Sequence, residues 1–160
     1  MPAYPMPAWV WEERVIAPSA RLLRALHDAT DGFDRAGRSW QSPTHRPAEV
    51  VCHDDFAPYN LVFRDGLPIA AIDFEHASPG PRVWDLAYLA YRLVPLAARG
   101  NPDLPWRDDR DRRLAVLCEA YGGPSPAEVR AVLPQRLVEL AEVSPPEHAA
   151  LYRRDASERE

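Results

Sequence analysis

The sequence predicts an α+β fold that is predominantly helical, with four or five helices around one small β-hairpin. Three observations predict it. Apolar residues recur at helical spacing over residues 18–30 and 84–94. Two short apolar runs, Leu61-Val62-Phe63 and Ile69-Ala70-Ala71-Ile72, flank Arg64-Asp65-Gly66-Leu67, and Asp-Gly in that setting is a strong hairpin signal. Ser125-Pro126-Ala127-Glu128 and Ser144-Pro145-Pro146-Glu147 each read as a helix start, a capping Ser with Glu three residues on and Pro at the first helical position.

Taken in order, residues 1–15 are rich in Pro and Trp and suit an extended connector. A first helix is expected from Pro18 to about Thr30, with Leu22, Leu23, Leu26 and Ala29 as its apolar stripe and Gly32 as its end. Residues 34–48 read as loop, and Val50-Val51-Cys52 as a short strand. From Trp84 a second helix runs to Pro95, with Asp85 at the end where a helix favours a carboxylate. A third spans Arg110 to Tyr121, closed by Gly122-Gly123. The two capping boxes open two more, the first bent at Pro134. Residues 153–160 read as a charged, frayed tail, leaving 16–152 as the folded unit.

With 160 residues and 46% apolar content, the chain can bury one ordinary core. Nineteen basic against 24 acidic residues give a net charge of −5. That balance, with no basic stripe, argues against nucleic acid as a partner. No apolar run approaches the ~18 residues of a membrane span, so no membrane partner is expected. The start, Met1-Pro2-Ala3-Tyr4-Pro5, has neither a charged nor an apolar leader region. Cys52 and Cys118 stand far apart without a CxxC partner, which fits a reduced, cytoplasmic protein. Every basic residue is Arg; the chain has no lysine.

The chemistry-bearing stretch is Val51 to Asp85. It contains His53-x-Asp55-x-x-x-x-Asn60, then Asp73 after an apolar run, which is the spacing of a kinase catalytic loop and its metal-binding Asp. By composition, H-x-D-x4-N is expected about 0.005 times in such a chain, so the match is specific. The hairpin gives the spacing a physical reason. Antiparallel pairing about Asp65-Gly66 brings the neighbourhood of Asn60 opposite that of Asp73, and opposed residues stand about 4.5–5.5 Å apart at Cβ. An amide oxygen and a carboxylate at that separation suit a hard cation such as Mg2+. Asp55, on the loop before the hairpin, is placed to accept a proton from an attacking hydroxyl.

Singly, each residue has a plainer reading. Asp54 and Asp55 are common in turns, Asn60 likewise, and Asp73 suits a cap. His27, His53 and His76 read first as satisfied polar groups, and Trp9, Trp11, Trp40 and Trp106 as packing. The mixed run from Arg107 to Arg113 is most simply a solvated helix start. Acidic side chains there or at Glu75 would suit a cationic substrate.

The segments HDDFAPYNLVF and IDFEHASPGPRVWDLAYLAYR resemble the aminoglycoside phosphotransferase family, whose fold is similar to that of protein kinases. The resemblance covers residues 52–92 most closely. It implies ATP-dependent phosphoryl transfer to a hydroxyl of a small molecule. Asp55 would be the catalytic base, Asn60 and Asp73 the Mg2+ ligands, Asp85 a buried acid bracing the loop, and His53 a packing and hydrogen-bonding residue of it. Asp54 stands where the family usually has Gly, so a left-handed backbone there is expected to be strained or absent. Asp73-Phe74-Glu75 replaces the Asp-Phe-Gly of protein kinases.

In kinase-like enzymes an N-terminal lobe supplies a phosphate-covering loop and a lysine. Only 52 residues precede His53, no G-x-G-x-x-G occurs, and there is no lysine. The expectation is therefore a C-terminal catalytic lobe of a kinase-like fold whose N-terminal nucleotide lobe is missing, with residues 1–15 a connector remnant and no residue assignable to ATP. Such a lobe would pair with a nucleotide-lobe polypeptide or self-associate through its exposed inter-lobe face. The alternative is a non-catalytic remnant acting as a partner- or ligand-binding module.

Overall fold

From Trp84 to Leu93 every residue of one helix is buried, so the rest of the chain wraps around it. This helix, α2 (Arg82–Leu93), packs against α1 (Glu13–Thr30), α4 (Pro126–Val143) and β1 (Val50–Cys52) in a computed structural model that describes residues 5–158. The remaining elements are 3-10 turns at Ala8–Trp11 and Pro58–Asn60, strands β2 (Leu61–Arg64), β3 (Leu67–Ala71) and β4 (Ser78–Gly80), and helices α3 (Arg110–Tyr121) and α5 (Pro146–Ser157). Among the described residues no helix is long and apolar enough to cross a membrane.

The fold is mixed α+β with two two-stranded sheets rather than one hairpin. β2 and β3 form the expected ribbon, Leu61 opposite Ala71 and Arg64 opposite Leu67, with a register shift between Val62 and Phe63. Asp65 and Gly66 both have positive φ (52° and 73°), as a two-residue turn matched to strand twist requires. The second sheet pairs β1 with β4, Cys52 opposite Ser78. β4 reads Ser-Pro-Gly, which carries no strand propensity, and only tertiary pairing reveals it.

Several boundaries differ from the sequence reading. α1 begins at Glu13, five residues before Pro18, because Val15, Ile16, Ala20 and Leu23 form one buried face that outweighs the helical bond lost at Pro18. The described part of the 1–15 segment is packed rather than extended: Val10 and Val15 are fully buried, and the Trp11 indole donates to the Arg92 carbonyl at 3.0 Å. Ser125 and Glu128 form the reciprocal cap at the start of α4, whereas α5 starts after Pro145, with no side-chain cap from Ser144. α5 continues through the segment read as tail, and Asp155 is buried. Residues 1–4 of the proposed connector and 159–160 of the proposed tail lie outside the described residues.

Asp155 accepts hydrogen bonds at 2.7 Å from both the Tyr91 hydroxyl and the Asn101 amide, which ties α5 to α2. Asp155→Ala strands both donors and is expected to cost about 2–3 kcal/mol, against under about 0.5 kcal/mol for Arg153→Ala. Urea denaturation measures both, and equal small effects would show the C-terminal turn to be frayed after all.

Candidate functional site

β1 runs directly into the loop that carries the motif. Its sheet with β4 and the packing of α2 beneath fix where the loop starts. The Asp85 carboxylate, fully buried in the first turn of α2, then fixes its path. Oδ2 accepts from the His53 backbone N–H at 2.6 Å and Oδ1 from the Asp54 backbone N–H at 2.9 Å. Two successive N–H groups thus converge on one buried anion. His27 of α1 meets the same Oδ2 at 3.0 Å and bonds through its other nitrogen to the Tyr121 hydroxyl at 2.7 Å. Burial pushes the Asp85 carboxyl up, but His27 and the His53 N–H more than offset it and hold the group below the usual carboxylate value.

His53 is fully buried and ties the loop to the far foot of the ribbon. Its Nδ1 accepts from the Asp55 N–H at 3.3 Å, which leaves Nε2 as the donor to the Ile72 carbonyl at 2.9 Å. The Ile72 N–H in turn donates to the Asn60 carbonyl at 3.0 Å, extending the ladder one step past β2 and β3. Asp73 follows at once, in left-handed conformation (φ 65°), and Phe74 lies against the His53 ring with centroids 4.6 Å apart.

Asp55 and Asn60 lie side by side. The Asn60 amide donates to Asp55 Oδ2 at 2.8 Å and to the Asp55 carbonyl at 3.0 Å. The Tyr59 hydroxyl donates to Asp55 Oδ1 at 2.6 Å and stands 2.8 Å from the Tyr88 hydroxyl. Burial raises the Asp55 carboxyl above its ordinary value although Tyr59 and Asn60 pull it down, so it is a somewhat stronger base than an exposed aspartate. Asp73 is exposed and makes no hydrogen bond or ion pair among the described residues. Its backbone neighbours tie it to the motif, and it makes no hydrogen bond to Asp55 or Asn60.

Asp54 keeps the left-handed backbone (φ 63°) expected to be strained or absent without Gly. The bend turns its N–H to Asp85 and its carbonyl to the Arg136 guanidinium of α4. Its side chain is buried too, with Oδ2 accepting from Ser78 Oγ at 2.5 Å and Oδ1 left without a partner among the described residues. Burial, then the nearby Asp85 charge, push its carboxyl up to about 6.

Of these residues, Asp54, Asp55 and Tyr59 open onto a cleft of about 970 Å³ between the loop and α4, bordered also by His76, Trp84, Arg136 and Glu139; Asn60 and Asp73 do not line it. Arg136 lies over Trp84 and Tyr88, 5.3 and 4.9 Å from their ring centroids. His45 stacks on Trp84 at 3.9 Å and bonds to Glu139 at 2.7 Å. Glu75 is exposed but does not line this cleft. The sequence reading missed Arg136, Tyr59 and Ser78. Only Tyr59 lay within the motif, and nothing local distinguishes Arg136, 82 residues from its partner.

One cluster of three ligand-type side chains occurs among the described residues, His27, Cys52 and Asp85, with ligand atoms within 4.8 Å of one another. Both His27 nitrogens and both Asp85 oxygens are engaged, and burial pushes the Cys52 thiol well up, away from the thiolate a metal needs. This is a hydrogen-bonded core, not a metal centre.

The phosphotransferase enzyme family matches residues 8–132. A trifolitoxin immunity protein from Rhizobium leguminosarum bv. trifolii is 37% identical over 78 residues, 43% of this chain and 28% of that protein. The chain belongs to the phosphotransferase enzyme family. The match begins inside the segment read as a connector remnant, whose Val10 and Trp11 are part of the core. It overturns the expectation of a C-terminal lobe alone with its nucleotide lobe missing: the matched region takes in most of the chain.

The buried carboxyls predict an unusual pH dependence. Asp54 titrates near 6 when folded against 3.8 as the ordinary value, so the folded chain binds the extra proton and stability rises as pH falls from about 6 to 4. Asp85 is held below 3.8, so its contribution is present above about pH 4 and is lost as pH drops further. Asp54→Asn is expected to flatten the rise between pH 6 and 4, worth at most about 3 kcal/mol at about 1.4 kcal/mol per unit. Asp85→Ala is expected to cost about 3–5 kcal/mol at pH 7. Denaturation midpoints from pH 3 to 8 test both; an unchanged slope in Asp54→Asn would reject the assignment.

Proposed function

We propose that this member of the phosphotransferase enzyme family transfers the terminal phosphoryl group of ATP to a hydroxyl of a small molecule. The observation that carries the proposal is Asp55 at the edge of the cleft, paired with Asn60 behind it, on a loop whose backbone is clamped from below by Asp85. In this reading Asp55 is the base, Asn60 and Asp73 hold Mg2+, and His53 and Asp85 position the loop.

The residues suit a hard cation. The Asn60 amide nitrogen is spent on Asp55, which leaves its oxygen without a partner among the described residues, and the Asp73 carboxylate is exposed and makes no hydrogen bond or ion pair among them. Both offer the oxygen ligands that Mg2+ takes. The metal, when bound, supplies charge neutralisation at the transferring phosphate.

The chain's own residues do the rest. An acceptor lying in the cleft presents its hydroxyl to Asp55. Its oxygen forms the new bond to phosphorus as the bond to the leaving ADP oxygen breaks, and its proton passes to the Asp55 carboxylate. Tyr59 and Asn60 hold that carboxylate in one orientation, so little reorganisation is needed when the proton arrives. Free Cys52 and Cys118 and the use of ATP are in keeping with a cytoplasmic reaction.

Phosphoryl transfer from Mg-ATP to a panel of small hydroxyl compounds tests the reading. Asp55→Asn is expected to lower turnover about 10²- to 10⁴-fold, the range of general-base contributions. Asp73→Ala and Asn60→Ala are expected to weaken divalent-ion binding, read by Mn2+ paramagnetic resonance without turnover. Wild-type turnover in Asp55→Asn, or Mn2+ affinity indifferent to both metal-site changes, would sink the assignment.

A further inference from the structure

α2 buries a guanidinium that has no ion-pair partner among the described residues. Arg92, in the last turn of α2, is only 7% exposed, yet its side chain makes no hydrogen bond and no ion pair among the described residues. The other two buried arginines behave differently. Arg113 donates to the carbonyls of Trp11 and Leu93, and Arg136 donates to the carbonyl of Asp54.

Aromatic faces hold Arg92 instead. Its Cζ lies 5.3 Å from the Tyr59 ring centroid and 5.9 Å from that of Tyr91. Such contacts attract a cation but leave its planar set of N–H donors unused. The donors are not sealed off, because Arg92 lines a cavity of about 200 Å³ with Tyr59, Tyr91, Asp103, His148 and Tyr152. Asp103, the carboxylate on that wall, is itself engaged. A permanent charge with free directional donors, set in an aromatic cavity, has the chemistry of an oxyanion site.

We propose that the Arg92 cavity binds a small oxyanion, a carboxylate or phosphate group carried by the acceptor. This rests on Asp55 as the base and names the substrate class: a hydroxyl compound that also bears an anionic group. Tyr59 and Tyr152 line both this cavity and the larger cleft. Tyr59 has its ring beneath Arg92 and its hydroxyl 2.6 Å from Asp55 Oδ1. An acceptor anchored at Arg92 therefore reaches the base across the width of one tyrosine. The cavity is below the ~300–1,000 Å³ of whole-ligand pockets, so it takes the anionic end and leaves the remainder to the cleft.

Titrating inorganic phosphate and acetate into the full chain at constant ionic strength, with chloride as control, tests the site. With ring-labelled tyrosine, the resonances of Tyr59, Tyr91 and Tyr152 are expected to shift together and saturably with phosphate or acetate and not with chloride. Arg92→Gln is expected to weaken that binding at least tenfold, while Asp55→Asn leaves it unchanged. Binding without turnover in the wild type would reject the phosphotransfer reading alone. Turnover without anion binding would reject this inference alone. Equal binding in Arg92→Gln overturns it. Should that variant not fold, the wild-type titration decides, and the absence of saturable shifts at these tyrosines overturns it.

Discussion

The site depends on one buried carboxylate meeting two consecutive backbone N–H groups. Asp85 is placed by the first turn of α2, and α2 is the most deeply buried element of the chain. The loop from His53 to Asn60 therefore takes its position from the core, not from its own residues. A buried anion is tolerable only when its lone pairs are filled, and here His27 and the N–H groups of His53 and Asp54 fill them. The same contacts make the anion rigid. What lies above it inherits that rigidity: Asp55 one residue on, Asn60 at the next 3-10 turn, and Ile72 through the His53 ring.

Holding Asp85 ionised has a consequence for its neighbour. Asp54 donates its N–H to Asp85 while its own carboxyl is buried beside it, and two carboxylates so close do not both ionise readily. The structure resolves this by uneven supply of donors. Asp85 takes two backbone N–H groups and an imidazole, and Asp54 takes only Ser78 and keeps an unpartnered oxygen. The negative charge is thus concentrated under the loop. Of the two carboxyls, Asp54 is the one that more readily accepts a proton.

How much of this was legible follows from sequence distance. The Asp65-Gly66 turn, the 110–121 helix and the Ser125 cap are set by contacts within a few residues, and each appears in the structure as local rules require. The motif also announces itself, because its spacing is compressed into one loop and one ribbon. What failed were features decided at long range. Pro18 lies inside α1 because the helix is chosen by its buried face, and β4 exists because β1 needs a partner. Asp155 is structural because Tyr91, 64 residues away, donates to it. Ser144 missed its cap by one position, since Pro145 and Pro146 together set where α5 can begin. The reading of 1–15 as a remnant failed for the same reason: a string of Pro and Trp looks extended until the pocket that receives Trp11 is known.

Among the described residues, the three non-glycine positions with positive φ, Asp54, Asp65 and Asp73, bring these strands together. All are aspartates, which among side-chain-bearing residues tolerate the left-handed region comparatively well. They stand where the path must reverse: inside the motif, at the tip of the ribbon, and just past its second foot. Asp65 satisfies only its own turn, a local requirement. At Asp54 the bend turns one peptide towards Asp85 and the next carbonyl towards Arg136, so its conformation is over-determined by two partners from different helices. Asp73 has neither partner, and its backbone is bracketed instead by the His53 bond to Ile72 and by Phe74 against the same ring. The side chain has no partner among the described residues while the chain on either side is pinned. That is the arrangement expected of a carboxylate whose partner comes from outside the protein.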